Sequence, residues 1–146
     1  MSIVRRFKLA VDDFDVDHIG TLGSCHIEVV IYDTTEEMQD AMVRYGLPAH
    51  LARNSGGGFG HRIGKPYRGY LGIMRLALDT HLESVIIHEC LHVAVRAAKW
   101  HYGVEELRLN EAKNGEREEV VAYYMQAFGW CLFNEVRRMG VIEEVA

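Results

Sequence analysis

The sequence predicts an α+β fold: a short, mostly antiparallel or mixed sheet of about three or four strands, followed by two long helices that cover it. Two observations carry that expectation. Segments rich in β-branched residues occupy the first half of the chain, and long stretches at helical spacing occupy the second half. The whole of 1–146 reads as one domain, because 146 residues is enough to bury one core and the two prolines leave no Pro-rich linker.

Residues 3–11 (IVRRFKLAV) and 25–32 (CHIEVVIY) partly alternate and read as strands. Thr34-Thr35-Glu36-Glu37 places hydroxyls and then acids where a helix begins. Met38, Met42 and Val43 follow at helical spacing, so 35–45 is predicted to be a short amphipathic helix, ended by Gly46 and Pro48. Residues 54–70 are glycine-rich and predict turns around a short strand, or a loop; Gly64-Lys65 is followed by Pro66, so this is no phosphate loop. Residues 70–78 (YLGIMRLAL) predict a third strand. Asp79 or Thr80 is expected to cap a helix running to about Tyr102 and stopping at Gly103. Its apolar positions surround most of it, which predicts a buried helix. A charged linker, 104–115, leads to a second long helix, 116–138, ended by Gly140, with Arg137 and Arg138 suiting its C-terminal dipole.

Charge and cysteine content narrow the function. The net charge of -5 shows no basic surplus, so no nucleic-acid partner is expected. Arg62, Lys65 and Arg68 sit close together but read as a solvated loop. Cys25, Cys90 and Cys131 are odd in number and form no CxxC pair, which argues for a reducing compartment and against a disulfide scaffold. The N-terminus has no signal-peptide core and no apolar run is long enough to span a membrane. A cytoplasmic protein is expected.

One motif carries chemistry: His88-Glu89-Cys90-Leu91-His92, an H-E-x-x-H string within the predicted helix 81–102. Residues four apart share a helical face, so both imidazoles can address one ion. Two neutral imidazoles plus a carboxylate suit zinc, with the fourth position left to water, and Glu89 can reach that water as general base. One Zn2+ per chain is expected. The third ligand is open between Glu119, the first choice, and Glu118 and Glu111. Glu119 precedes Val120-Val121-Ala122, whose small residue would let the helix pack closely; Glu118 shares a face with Val121, Met125 and Phe128. His18, His26, His50, His61, His81 and His101 read as core or surface histidines, although any one in a cleft could stabilise an oxyanion. Tyr123 and Tyr124 read as core aromatics, with the same reservation, and Cys90 as a small core residue.

From about Tyr70 to Phe133 these residues resemble the gluzincin branch of the zincin metallopeptidases. The chain is also similar to small zincin-like proteins of bacterial and phage genomes, among them proteases that cleave repressors. The resemblance implies a small zincin-like fold and a metalloprotease (hydrolase) activity on a peptide or protein substrate. It implies His88 and His92 as metal-binding ligands, Glu89 as base and Glu119 as third ligand, with Glu119-Val120-Val121-Ala122 similar to the family's E-x-x-[AS] pattern. Glu111 stands at the spacing of the aminopeptidase branch, with Asn114 in its small-residue position. The strand 70–78 looks like the family's edge strand, on which an extended substrate pairs, and 54–69 is a plausible lid. The alternative reading is a zincin-like binding module that keeps a metal site and holds a partner protein.

Overall fold

The structure is a computed structural model that describes residues 3–17, 19–104 and 115–142. Its elements in chain order are β1 (Ile3–Val11), β2 (Phe14–Val16), β3 (Gly20–Leu22), β4 (Cys25–Tyr32), α1 (Thr35–Arg44), α2 (Ala49–Ala52), β5 (Gly58–Gly60), β6 (Tyr70–Ala77), α3 (Leu82–Tyr102) and α4 (Gly115–Arg138). The class is α+β, with a four-stranded mixed sheet in the order β1-β4-β6-β5 and a separate β2-β3 hairpin.

The β4 strand explains the layering. Cys25, Ile27, Val29 and Ile31 alternate onto one face and are fully or almost fully buried. They meet Leu71, Met74 and Leu76 of β6, which runs parallel to β4 with Val29 opposite Met74 and Ile31 opposite Leu76. On the same face lie α3, through Ile86, Cys90, Val93, Ala94 and Ala97, and α4, through Val120, Val121, Tyr124, Phe128, Leu132 and Val136. The α4 residues recur every three or four positions, the spacing of a single helical stripe. Each large side chain in this core contributes about 1.5–3 kcal/mol by leaving water. Val30 and Tyr32 point to the opposite face, where Met38, Ala41 and Met42 of α1 cover them in a smaller cluster. The α1 helix starts as expected: the Thr34 hydroxyl accepts a hydrogen bond from the Glu37 backbone N–H at 3.2 Å.

Four expectations need correction. First, 70–78 is not an edge strand. The glycine-rich segment folds back as β5, pairing antiparallel with Ile73–Arg75, so β6 is interior and β5 is the edge. Gly72 permits this approach, because at φ 151° a side chain there would strike the Gly60 carbonyl. Second, neither Asp79 nor Thr80 caps α3. His81 occupies the N-cap position without a side-chain bond. Asp79 instead accepts from the backbone N–H and hydroxyl of Thr35, at 2.8 and 2.6 Å, tying α3's approach to the start of α1. The Thr80 hydroxyl donates to Ala77 O. Third, α3 is not buried all round: Ile87, Leu91 and Val95, at i, i+4 and i+8, are 43–52% exposed. Fourth, the β2-β3 hairpin and the short α2 lie in segments where no strand or helix is predicted. The end of α3 is as expected, at Gly103 in the left-handed region (φ 77°), with Val104 N–H bonding to Ala98 O. Among the described residues no helix is long and apolar enough to cross a membrane.

Candidate active site

The H-E-x-x-H residues lie in the first half of α3, on the helix's boundary between core and solvent. His88 and His92 lie on the outer side, the His88 side chain 69% exposed. One turn apart, they bring their Nε2 atoms to 3.2 Å, with ring centroids 5.0 Å apart. Glu89 turns the other way and is only 5% exposed. Its Oε1 lies 3.9 Å from His88 Nε2. Burial pushes the Glu89 carboxyl up from its ordinary value, against a smaller opposing pull from His92 and His88. A carboxylate kept from water beside a pair of imidazoles is an arrangement suited to accepting a proton.

The three residues form the floor of a cleft of about 530 Å3 whose opposite wall is the glycine-rich segment. Gly57, Gly58 and Phe59, at the start of and within β5, face α3 across it, as do His61 and Ile63. The approach at Gly57 is close enough to require glycine. A Cβ there would overlap Val85 Cγ1 and lie 3.6 Å from Glu89 Cγ. The wall is held by Arg96, which is 7% exposed. Its Nε donates to Leu71 O at 2.6 Å, and its Nη2 donates to Arg62 O and Gly64 O, each at 3.3 Å. One guanidinium on α3 therefore anchors both the start of β6 and the segment that carries His61 and Ile63.

His61 Nδ1 lies 3.0 Å from Arg62 O, which assigns the proton to Nδ1 and leaves the Nε2 lone pair for another partner. The sequence reading leaves His61 among the surface or core histidines; the fold brings it to the cleft. Gly57, Arg96 and His61 are thus the site residues that sequence reasoning does not single out. Arg96 carries a usable signal, because it stands four residues after His92. Gly57 carries none, being one of three consecutive glycines.

The glutamate expectations fare differently. Glu111 lies outside the described residues. Glu118 and Glu119 are exposed on the first turns of α4, and neither lines the cleft. At about 100° per residue, Glu119 falls on the side of α4 opposite the buried stripe of Val120, Tyr124 and Phe128, while Glu118 falls at its flank. Among the described residues no group of three or more His, Cys, Asp or Glu side chains is gathered so as to hold a metal ion. Among the other candidates, Tyr124 is fully buried and its hydroxyl donates to Gly23 O at 2.9 Å, a core role. Cys90 is buried, and its thiol is pushed up to about 12 by burial and then by the Glu89 charge, which disfavours a thiolate near neutral pH. His26 packs against Tyr70, while His50 and His81 are exposed away from the cleft. His18 lies outside the described residues.

No protein-family model, curated protein or solved structure matches this chain.

Proposed function

We propose that this chain is a zinc-dependent peptidase with a small zincin-like fold. The observation that carries the reading is the 3.2 Å separation of His88 and His92 Nε2 on successive turns, with buried Glu89 beside them at the floor of a cleft. Zinc takes imidazole nitrogens at about 2.0–2.1 Å in a tetrahedral arrangement, which sets two such nitrogens about 3.3 Å apart. The histidine pair fits that spacing without rearrangement. His88 and His92 would hold the ion, and Glu111 would supply the third donor, since Glu118 and Glu119 do not line the cleft. Bound there, zinc supplies Lewis acidity to a carbonyl and lowers the pKa of water.

The chain's own residues do the rest. Glu89 accepts a proton from the attacking water on its carboxylate and returns it to the leaving amine. Its burial holds the carboxyl pKa above the ordinary range, closer to the pH at which both transfers are effective. An extended peptide pairs with the free edge of β5, since β6 is interior; the backbone at Gly58–Gly60 is the available ladder. His61, with its Nε2 lone pair or a second proton, faces the same space. Arg96 keeps the wall at its distance from the floor.

A second reading is favoured by one observation, the exposed apolar stripe Ile87, Leu91 and Val95 on the helix that carries the histidines. In that reading the protein is a binding module whose metal serves stability. Incubating the chain and its Glu89→Gln variant with a quenched-fluorescent peptide library separates the two. The peptidase reading predicts zinc-dependent cleavage lost in the variant. Absence of cleavage by both, with bound zinc in both, would favour the module.

A further inference from the structure

On the α1 face of the sheet lies a second polar pocket, independent of the zinc reading. A cavity of about 90 Å3 opens between α1 and strands β4 and β6, its walls including Arg6, Arg44, Tyr45, Ile73 and Arg75. At roughly 30 Å3 per water, it accommodates about three waters or one small oxyanion. Among the described residues, none that lines it is acidic.

Arg75 is the unusual member. It stands in an apolar strand, between Met74 and Leu76, and is 5% exposed. Its Nε and Nη2 are buried and have no hydrogen-bond partner among the described residues. The ring of Tyr45 lies against its guanidinium, 4.3 Å from Cζ to the ring centroid, which favours the cation through its face but satisfies no N–H. Nη1 lies on the side of β5, where a Cβ on Gly60 would come within 3.9 Å of it. The two orphaned donors therefore share the other edge of the guanidinium. That Nε–Nη2 edge presents two parallel N–H groups, the fork that matches two oxygens of one phosphate or carboxylate. A guanidinium edge left dry and unpaired is strongly unfavourable. Arg6, at the cavity wall, pairs with Glu28 and so neutralises the carboxylate that would otherwise repel an anion from that side.

We infer that this cavity is a binding site for a small free oxyanion, phosphate or a carboxylate, held by the Nε–Nη2 edge of Arg75. The test uses the full chain, followed by NMR of the arginine Nε–H signals at constant ionic strength. Inorganic phosphate, acetate and sodium chloride are titrated in separate arms. The expected result is one Nε–H signal, missing from the Arg75→Met spectrum, that shifts saturably with phosphate, with acetate or with both, and not with chloride. The arm that saturates at the lower concentration identifies the chemistry. By calorimetry, Arg75→Met weakens the binding at least about tenfold, on the scale of a charge-assisted hydrogen-bonded pair. Arg6→Gln, on an exposed side chain, weakens it several-fold and covers the case in which Arg75→Met fails to fold. An Arg75 signal that is indifferent to both anions, or that follows chloride equally, overturns the inference.

Discussion

Arg96 and Arg75 are buried to nearly the same degree, at 7% and 5% exposed, one over each face of the same sheet. Arg96, on the α3 face, spends its donors on the carbonyls of Leu71, Arg62 and Gly64. Arg75, on the α1 face, keeps an unpaired edge in a cavity. The difference lies in what surrounds each cation. Next to α3 the chain supplies irregular backbone, the glycine-rich segment, whose carbonyls are free of any ladder and can converge on a guanidinium. Next to α1 the neighbours are strand backbone already used in the ladder, and side chains with no carboxylate among them. A buried arginine thus reads as structural scaffold on one face and as a ligand site on the other.

The comparison makes opposite predictions for removing the two cations. Arg96→Met is expected to cost about 3 kcal/mol in urea unfolding, because it strands buried carbonyls as well as losing charged hydrogen bonds. It is also expected to lower any peptidase activity by loosening the cleft wall. Gly57→Ala is next in size. Its Cβ would overlap Val85 and press toward Glu89, costing about 1–3 kcal/mol. Gly56→Ala is the matched control: a Cβ there meets nothing within 4 Å, so its stability should change by less than about 1 kcal/mol. Arg75→Met, in phosphate-free buffer, should change stability by no more than about 1 kcal/mol in either direction, since it deletes an unpaired charge along with the Tyr45 contact. Equal losses in Arg96→Met and Arg75→Met would remove the distinction between the two faces.

A pH dependence arises in the main core. Burial pushes the Cys25 thiol up to about 12 from the ordinary 9.0. The native state therefore holds its proton where the unfolded chain releases it, and stability is full below pH 9 and declines as pH rises from there toward 12. Cys25→Ala should flatten part of that alkaline decline in unfolding free energy measured between pH 8 and about 10.5. An unchanged slope would show that Cys25 is not among the groups responsible.

Much of this layout is legible in the sequence, and the remainder fails for identifiable reasons. The strands β1, β4 and β6 and the helices α1, α3 and α4 are announced by alternation or by helical spacing, because each buries one face of a regular element. The β2 and β3 strands are three residues each, too short for alternation to register, and β5, equally short, is legible only as the short strand between turns that the glycines of 54–70 allow. That β6 is interior depends on a segment folding back across 58–60, a long-range pairing with no local pattern behind it. At the site, the closeness of His88, Glu89 and His92 follows from helix geometry alone: the two imidazoles stand one turn apart, with Nε2 atoms 3.2 Å from each other. The placement of Glu118 and Glu119 depends instead on how α4 rotates against the core. The stripe Val120, Val121, Tyr124, Phe128 settles that rotation and turns Glu119 outward. The stripe Ile87, Leu91 and Val95 misleads for the converse reason: apolar residues beside a cleft look the same in sequence as apolar residues in a core.

Metal content read together with turnover tests the proposal that His88 and His92 hold a zinc ion beside Glu89 as general base. Elemental analysis and peptide hydrolysis would be measured on the full chain, on His88→Ala and on Glu89→Gln. About one zinc per chain is expected in the parent and in Glu89→Gln, little in His88→Ala, and hydrolysis lowered about 10²- to 10⁴-fold by loss of the general base alone. A parent chain that takes up no zinc when zinc is supplied, or a Glu89→Gln variant that hydrolyses peptide as fast as the parent, would contradict it.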